Sequence, residues 1–284
     1  GHNSADLDYQ ATNSLSLNGG TIRNALLLDA NLTLPAPAGP GSLGANMAIV
    51  VDTTPPTVLN VTSTALDGLY GPGAVIGVTV TFSEPVSVTG TPRMTLAVGG
   101  GTLVNYSSGT GTNTLTFNYT VAAGHNSADL DYLATTSLAL NGGTIRDAAL
   151  NNAPLTLSAP GAAGSLGANK SLVIDTLAPG VPILLAPANG TLGNSATPTL
   201  DWSDSIDLNG VQNYDVQVDA DFAFTAPQEW TATVVPSTTS TGVLPAGLHY
   251  WRVRARDNAG NVSAYTGSGN FTIDTTAPTV PTLL

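Results

Sequence analysis

VIGVTVTF, residues 75–82, places Ile76, Val78, Val80 and Phe82 on one side of an extended chain and Gly77, Thr79 and Thr81 on the other. Successive side chains of a strand point to opposite faces, so this alternation reads as a strand with one buried face and one wet face. Similar runs occupy 56–63, 92–98, 102–107, 114–121, 136–140, 154–158 and 170–175, separated by clusters of Gly, Asn and Pro. No stretch carries the 3.6-residue period of an amphipathic helix. Many short strands at regular spacing predict an all-β fold of antiparallel sandwiches.

The chain also repeats itself. GHNSADLDY at 1–9 recurs letter for letter at 124–132, and the alignment runs without a gap to Val58 and Val181 with about two thirds of positions identical. Self-similarity of this kind marks a tandem array. The first copy has no counterpart of residues 59–123, so the chain is expected to open in the middle of a unit. Three segments, DTTPPT (52–57), DTLAPG (175–180) and DTTAPT (274–279), follow alternating apolar runs and carry proline, which cannot donate to a ladder and so closes a strand. Read as joints, they divide the chain into a half unit (1–55), a full unit (56–178), a different unit (179–276) and the start of a following module (277–284). The last is suggested by TAPTVPTLL, which echoes LAPGVPILL after Asp175.

Only 9% of residues are charged, against about 25% in ordinary soluble domains, so Thr, Ser, Asn and Gly must wet the surface. Cysteine is absent, which excludes disulfides, thiolate metal sites and cysteine nucleophiles. A formal net charge of −12 repels phosphate backbones and anionic lipid and attracts divalent cations, so neither nucleic acid nor a membrane surface is an expected partner. No apolar run approaches the roughly 18 residues of a membrane span, and residues 1–30 lack the pattern of a signal peptide. Of three histidines, His2 and His125 are one position in two copies and His249 sits at a corner. None has a triad partner by sequence, and a repeated position argues against a unique active site, so no catalytic residues are assigned and the chain reads as non-enzymatic.

The repeat resembles the bacterial immunoglobulin-like repeats of large surface adhesins, through FSEPV (82–86), NTLTFNYTVAAG (113–124), SADLDY (127–132), LNGGTIRDAALNNA (140–153) and VIDT (173–176). The resemblance covers residues 1–178 and makes 1–55 the C-terminal half of such a repeat. The unit at 179–276 resembles a fibronectin type III-like module of bacterial exported proteins, through TPTLDWSDS (197–205), YDVQVDAD (214–221), LPAGLHYWRVRARDNAGNVS (244–263) and FTID (271–274). That likeness implies a buried Trp202 and puts His249 where the family has its corner tyrosine, a departure from the pattern that a backbone-bonded histidine can accommodate.

Sandwich topology assigns each loop to a pole: loops after the second and sixth strands face the preceding domain. Asp52 is therefore expected near Glu84 of FSEPV and near Asp147 and Asn151 of DAALNN. Asp175 is expected near Asp204, Asp207 and Asn209 of one loop and Asp257, Asn258 and Asn261 of RDNAGN. Each joint gathers hard oxygen ligands, of which Ca²⁺ takes roughly six to eight. Calcium that stiffens the array is also what the adhesin resemblance implies. The competing reading needs no ion, because Asp and Asn cap local backbone N–H groups in turns. The copies differ here, DAALNN in the second being NALLLD in the first. SADLDY sets Asp6 and Asp8, and Asp129 and Asp131, two residues apart at the opposite pole, either as a second ion site or as a self-capping loop that carries a structural tyrosine, Tyr9 or Tyr132.

Arg252, Arg254 and Arg256 share one strand face and make up three of the seven cationic side chains. Asp215, Gln217 and Asp219 of the neighbouring strand are expected to neutralise them across the ladder, with a polyanion site as the other reading. Trp230, in PQEWTATVV, is either a sugar-stacking platform or an ordinary strand residue. The chain thus reads as a stalk or filament segment of a large extracellular bacterial surface protein, its partners being neighbouring domains of the same chain, further copies in a filament, or a cell-surface glycan or protein. The alternative is a non-catalytic spacer, or a set of glycan- or protein-binding modules, in a secreted multidomain enzyme.

Overall fold

The computed structural model describes residues 2–225 and 228–279; residues 280–284 of the expected following module lie outside them. The alternating run becomes the longest strand, β3, in the series β1 (Val58–Ser63), β2 (Gly68–Tyr70), β3 (Val75–Thr89), β4 (Arg93–Leu96), β5 (Thr102–Ser108), β6 (Thr112–Thr120), β7 (Leu138–Ala139), β8 (Thr144–Arg146) and β9 (Leu172–Ile174). Ile76, Val78 and Val80 lie opposite Tyr119, Phe117 and Leu115 of β6, and all six are buried. Each such side chain contributes about 1.5–3 kcal/mol when removed from water, which is why the register cannot slip by one residue. The ladder runs β1-β3-β6-β5-β4-β7, and β2 pairs in parallel with β9. Strand β3 changes partner along its length. Its first part lies between β1 and β6, and Ser87, Val88 and Thr89 pair with β8. The change falls at Ser83-Glu84-Pro85, where Pro85 has no N–H to give, and it leaves Glu84 at the end of the sandwich.

The expected strand at 154–158 does not form. Pro154 opens it, and Leu157, although buried, bonds only once, to the carbonyl of Thr135. Two single-turn helices, α1 (Leu43–Asn46) and α2 (Leu166–Asn169), are the same LGAN in both copies. Ser42 and Ser165 cap them by accepting from the N–H of Ala45 and Ala168.

Residues 2–55 share their sequence with 125–178 but not their strands. Among the described residues this stretch holds only α1 and isolated bridges such as Ser4–Val51 and Arg23–Asp29. The cause is pairing: β7, β8 and β9 bond to β4, β3 and β2, and residues 2–55 contain no counterpart of those three strands. Leu7, Leu15, Ile22 and Leu43 stay 37–49% exposed, whereas Leu130, Leu138, Ile145 and Leu166 are 0–3% exposed.

The last unit is a second sandwich. One sheet runs β10 (Leu184–Ala186), β12 (Thr199–Trp202), β15 (Thr238–Ser240); the other runs β11 (Thr191–Gly193), β17 (Gly269–Ile273), β16 (Gly247–Asp257), β13 (Val211–Asp219), β14 (Trp230–Val234). Trp202, Trp251, Val253 and Ala255 point into its core, and Trp202 meets Tyr214 edge-on at 5.5 Å. His249 is buried, with Nε2 2.9 Å from the carbonyl oxygen of Pro245 and Nδ1 2.6 Å from the Glu229 carboxylate. It ties the corner of β16 to the chain leading into β14.

The arginine stripe departs from expectation. Asp215 lies opposite Arg254 and takes both Arg254, at 3.0 Å, and Arg256, at 3.5 Å. Asp219 lies opposite Tyr250 and accepts from the N–H of Asp221 instead of an arginine. Arg252 faces Gln217, to which its Nε donates at 2.7 Å, and stacks on Phe224 and Tyr265 at 4.1 and 4.2 Å from the ring centroids. The aromatic faces replace the second carboxylate because the ring quadrupole attracts a guanidinium.

Burial alone would raise the Asp215 pKa, but the Thr233 hydroxyl and the Arg254 and Arg256 guanidiniums outweigh it and hold the carboxyl below its usual range. A folded pKa below the unfolded one gives stability that is present above the unfolded value and lost as pH falls through the folded one. Asp215→Asn should therefore lower stability by about 1 kcal/mol at neutral pH. Chemical denaturation across pH should show the difference closing below about pH 4.

Candidate functional site

The two joints at Asp52 and Asp175 are built alike. Each aspartate bonds its own linker, with the N–H of Thr54 donating to Asp52 and that of Leu177 to Asp175, both at 2.9 Å. Asp274 does the same with Thr276. Beyond the linker the chain is stitched to the next module by the pairs Thr57–Ser83 and Ile183–Ser203, each through two hydrogen bonds of 2.8–2.9 Å.

A loop from the next module then closes on each linker aspartate. In RDAALN (146–151) the Asp147 carboxylate accepts from the N–H and the side-chain amide of Asn151, both at 2.8 Å. The same amide donates to the carbonyl oxygen of Asp52 at 3.1 Å. In RDNAGN (256–261), Asp257 and Asn261 repeat these contacts, with the amide 3.2 Å from the carbonyl oxygen of Asp175. The fifth residue needs positive φ in both, supplied by Leu150 at 70° and Gly260 at 91°. Asn209 adds a bond to the Asp175 carboxylate at 2.8 Å. These bonds leave Asp147, Asp175 and Asp257 buried.

Carboxylate oxygens of Asp52, Glu84 and Asp147 lie within 4.8 Å of one another, and so do those of Asp175, Asp207 and Asp257. Asn151 and Asn261 adjoin these groups through the bonds above. Asp204 does not: its side chain is exposed, on the stretch between Ser203, which bonds Ile183, and Ser205, whose N–H donates to the Tyr214 hydroxyl. Like charges at that spacing repel by about 3 kcal/mol per pair at an effective dielectric near 20. Burial first, then Asp147 and Asp52, push the Glu84 pKa up.

Two contributors were missed in the sequence. The register R-D-x-A-x-N is common to both module types and could have been found by aligning 146–151 with 256–261. Gly71 packs so closely on the second joint that a Cβ there would sit 2.3 Å from the carbonyl oxygen of Ala259. Its signal was the Gly-Pro-Gly of residues 71–73.

The repeated GHNSADLDY motif serves the linker from behind. Asn3 and Asn126 accept from the N–H of Thr53 and Thr176 at 2.8 Å. Asp8 and Asp131 accept from the N–H of Ala38 and Gly161, and Tyr9 and Tyr132 donate to the carbonyls of Pro35 and Ser158. The hydrogen bond from Ala38 is the main cause that keeps the Asp8 carboxyl below its usual range. Burial, then Asp131, push the Tyr132 hydroxyl up to about 12. The same carboxylates accept from the N–H of the tyrosine that follows, so each bonds one neighbouring and one distant backbone group. Trp230 lies on edge strand β14 opposite Val218, on the core-facing side, half-buried against the second core and against Gly242. Its placement is that of an ordinary strand residue.

No protein-family profile matches the chain. Over 134 residues it is 35% identical to Exoglucanase B of Cellulomonas fimi, an alignment that spans 44% of this chain and 11% of that protein. Among solved structures it is similar to the fibronectin(III)-like modules of Clostridium thermocellum CbhA, with 17% identity, a TM-score of 0.33, and 75% of this chain and 93% of that one covered. It is also similar to domains from titin, with 11% identity, a TM-score of 0.38, and coverage of 76% and 64%.

A folded pKa raised above the unfolded value means that ionisation costs stability as pH rises through that range, and stability is greatest below it. In chelator, Glu84→Gln should raise the melting temperature at neutral pH and flatten the fall that sets in as pH rises past the ordinary carboxylate range. Gly71→Val should leave both cores folded and change the orientation of the second module against the third. Small-angle scattering that superposes on the parent curve would show that the Gly71–Ala259 contact does not set the joint.

Proposed function

We propose that this chain is a non-catalytic spacer in a secreted multidomain enzyme that acts on polysaccharide, and that its joints hold consecutive sandwiches in set orientations. The observation that carries the spacer reading is the asparagine amide shared, at both joints, between the aspartate of its own loop and the carbonyl of the preceding linker. A linker anchored at its carbonyl cannot swivel freely, so a domain at one end is kept at a defined reach from the other. The identity shared with an exoglucanase supports the enzyme context.

Calcium at the joints belongs to the same reading. Asp52, Glu84 and Asp147 at one, and Asp175, Asp207 and Asp257 at the other, supply oxygen ligands of the hard type the ion prefers, and the mutual repulsion of those carboxylates is what a divalent cation would relieve. A second reading, the stalk or filament segment of a bacterial surface adhesin, is favoured by the letter-for-letter recurrence of GHNSADLDY. Both place the chain outside the cell.

The absence of cysteine lets introduced thiols be labelled alone. Spin labels on Asn105→Cys and Gln212→Cys should give one narrow distance distribution in calcium and a broader one in chelator. A broad distribution in both would sink the spacer reading, and equal melting temperatures in calcium and chelator would remove the ion from it. Hydrolysis of soluble glucan by the chain itself would overturn the non-catalytic assignment. Sequencing beyond residues 1–284 separates the two readings: a catalytic domain favours the enzyme, further repeats with a cell-wall signal the stalk.

A further inference from the structure

We infer that the outer face of β13, β14 and β16 is a binding site for a carboxylate-bearing oligosaccharide. Three of the chain's seven cationic side chains stand on this one strand face, and among the described residues a single carboxylate, that of Asp215, contacts them. Arg252 has no carboxylate within reach among the described residues. It is held instead by two rings and by the amide oxygen of Gln217, and its terminal nitrogens have no hydrogen-bond partner among the described residues. Arg254, also over Tyr265 at 4.8 Å, uses Nε and one terminal nitrogen on Asp215. A guanidinium held flat in this way loses little freedom when it takes a carboxylate, because its donors are already aimed.

A depression of about 470 Å³ opens beside Arg254 and Tyr265, walled by Asp215, Gln217, Gln228, Thr231 and Thr233; its one carboxylate, Asp215, is the one already paired with Arg254 and Arg256, and Arg252 stands outside the depression on the same strand face. The Gln217 amide nitrogen, the Gln228 amide oxygen and the Thr231 hydroxyl have no side-chain partner among the described residues. Amides and hydroxyls beside a guanidinium suit a ligand that carries ring hydroxyls around one acidic group, which is the chemistry of a uronate. The net charge of −12 opposes any anion at a distance. At about 0.15 M salt that opposition is screened beyond about 8 Å, and the local arginines decide the outcome. The assignment stands whether the array serves an enzyme or a surface stalk.

The test is an amide-shift titration of the full chain with trigalacturonate and, separately, galactotriose at physiological salt. The acidic trisaccharide should produce saturable shifts at Gln217, Thr231 and Tyr265, and the neutral one none. Arg254→Gln should weaken binding about tenfold or more, the usual scale for one charge-assisted hydrogen bond. Thr231→Glu places a carboxylate on an exposed strand position opposite Gln217 and should abolish binding while the melting temperature holds or rises. Equal shifts from the neutral sugar, no saturable shift from either, or undiminished binding by Thr231→Glu would each overturn the inference.

Discussion

A side-chain amide that serves two masters orders this molecule. Asn151 and Asn261 each saturate the aspartate that shapes their own loop and, with the same nitrogen, hold the carbonyl of the linker before it. Loop conformation and module orientation are thereby one constraint. A buried carboxylate such as Asp257 is tolerable only if its oxygens are bonded, and the bonds that satisfy it are those that present the amide to the neighbour. Loss of the asparagine would cost the loop a bond and the joint its anchor together.

The same economy explains why sequence and structure part company in the first copy. Residues 2–55 carry the composition of β7, β8 and β9 but make none of them, because a strand exists only in a ladder and residues 2–55 themselves hold no counterpart of the partners β4, β3 and β2. What survives is what finds its partner inside the stretch: the LGAN turn capped by its serine, the bond from Tyr9 to Pro35, and the bond from Ala38 to Asp8. Contacts closed within the stretch form, and strands whose partners lie in another segment leave apolar side chains in water.

How much could be read in advance follows that division. Alternation in 75–82 was legible because period two has one physical meaning, and the pole assignments that brought Glu84 to Asp52 and Asp257 to Asp175 followed from strand order alone. Residues 154–158 misled because apolar alternation counts faces, not bonds, and says nothing about whether a neighbour's edge is free. The arginine stripe misled for a related reason: parity put Asp219 on the correct face, but the register set it against Tyr250 and left Arg252 to Phe224 and Tyr265, from distant loops. Asp204 and Asp207 share a loop, and only the path of that loop separates the one that faces the joint from the one that faces solvent.

The shared register R-D-x-A-x-N then bears on how such arrays are put together. The first joint is closed by a loop of the repeat and the second by a loop of a different module, yet the linker aspartate, the receiving carbonyl and the amide stand in the same relation at both. A coupling that ignores the identity of the module behind it lets unlike units follow one another without a new interface at each step. In the first copy the motif has become R-N-A-L-L-L: Asn24 turns its oxygen to the N–H groups of Leu26 and Leu28, and Leu28 stands where the amide would be. The turn closes through Arg23 and Asp29 without an asparagine at the sixth position. The turn therefore does not depend on the asparagine: it forms with leucine at this position, and what the asparagine adds at both joints is the amide that reaches the neighbouring linker carbonyl.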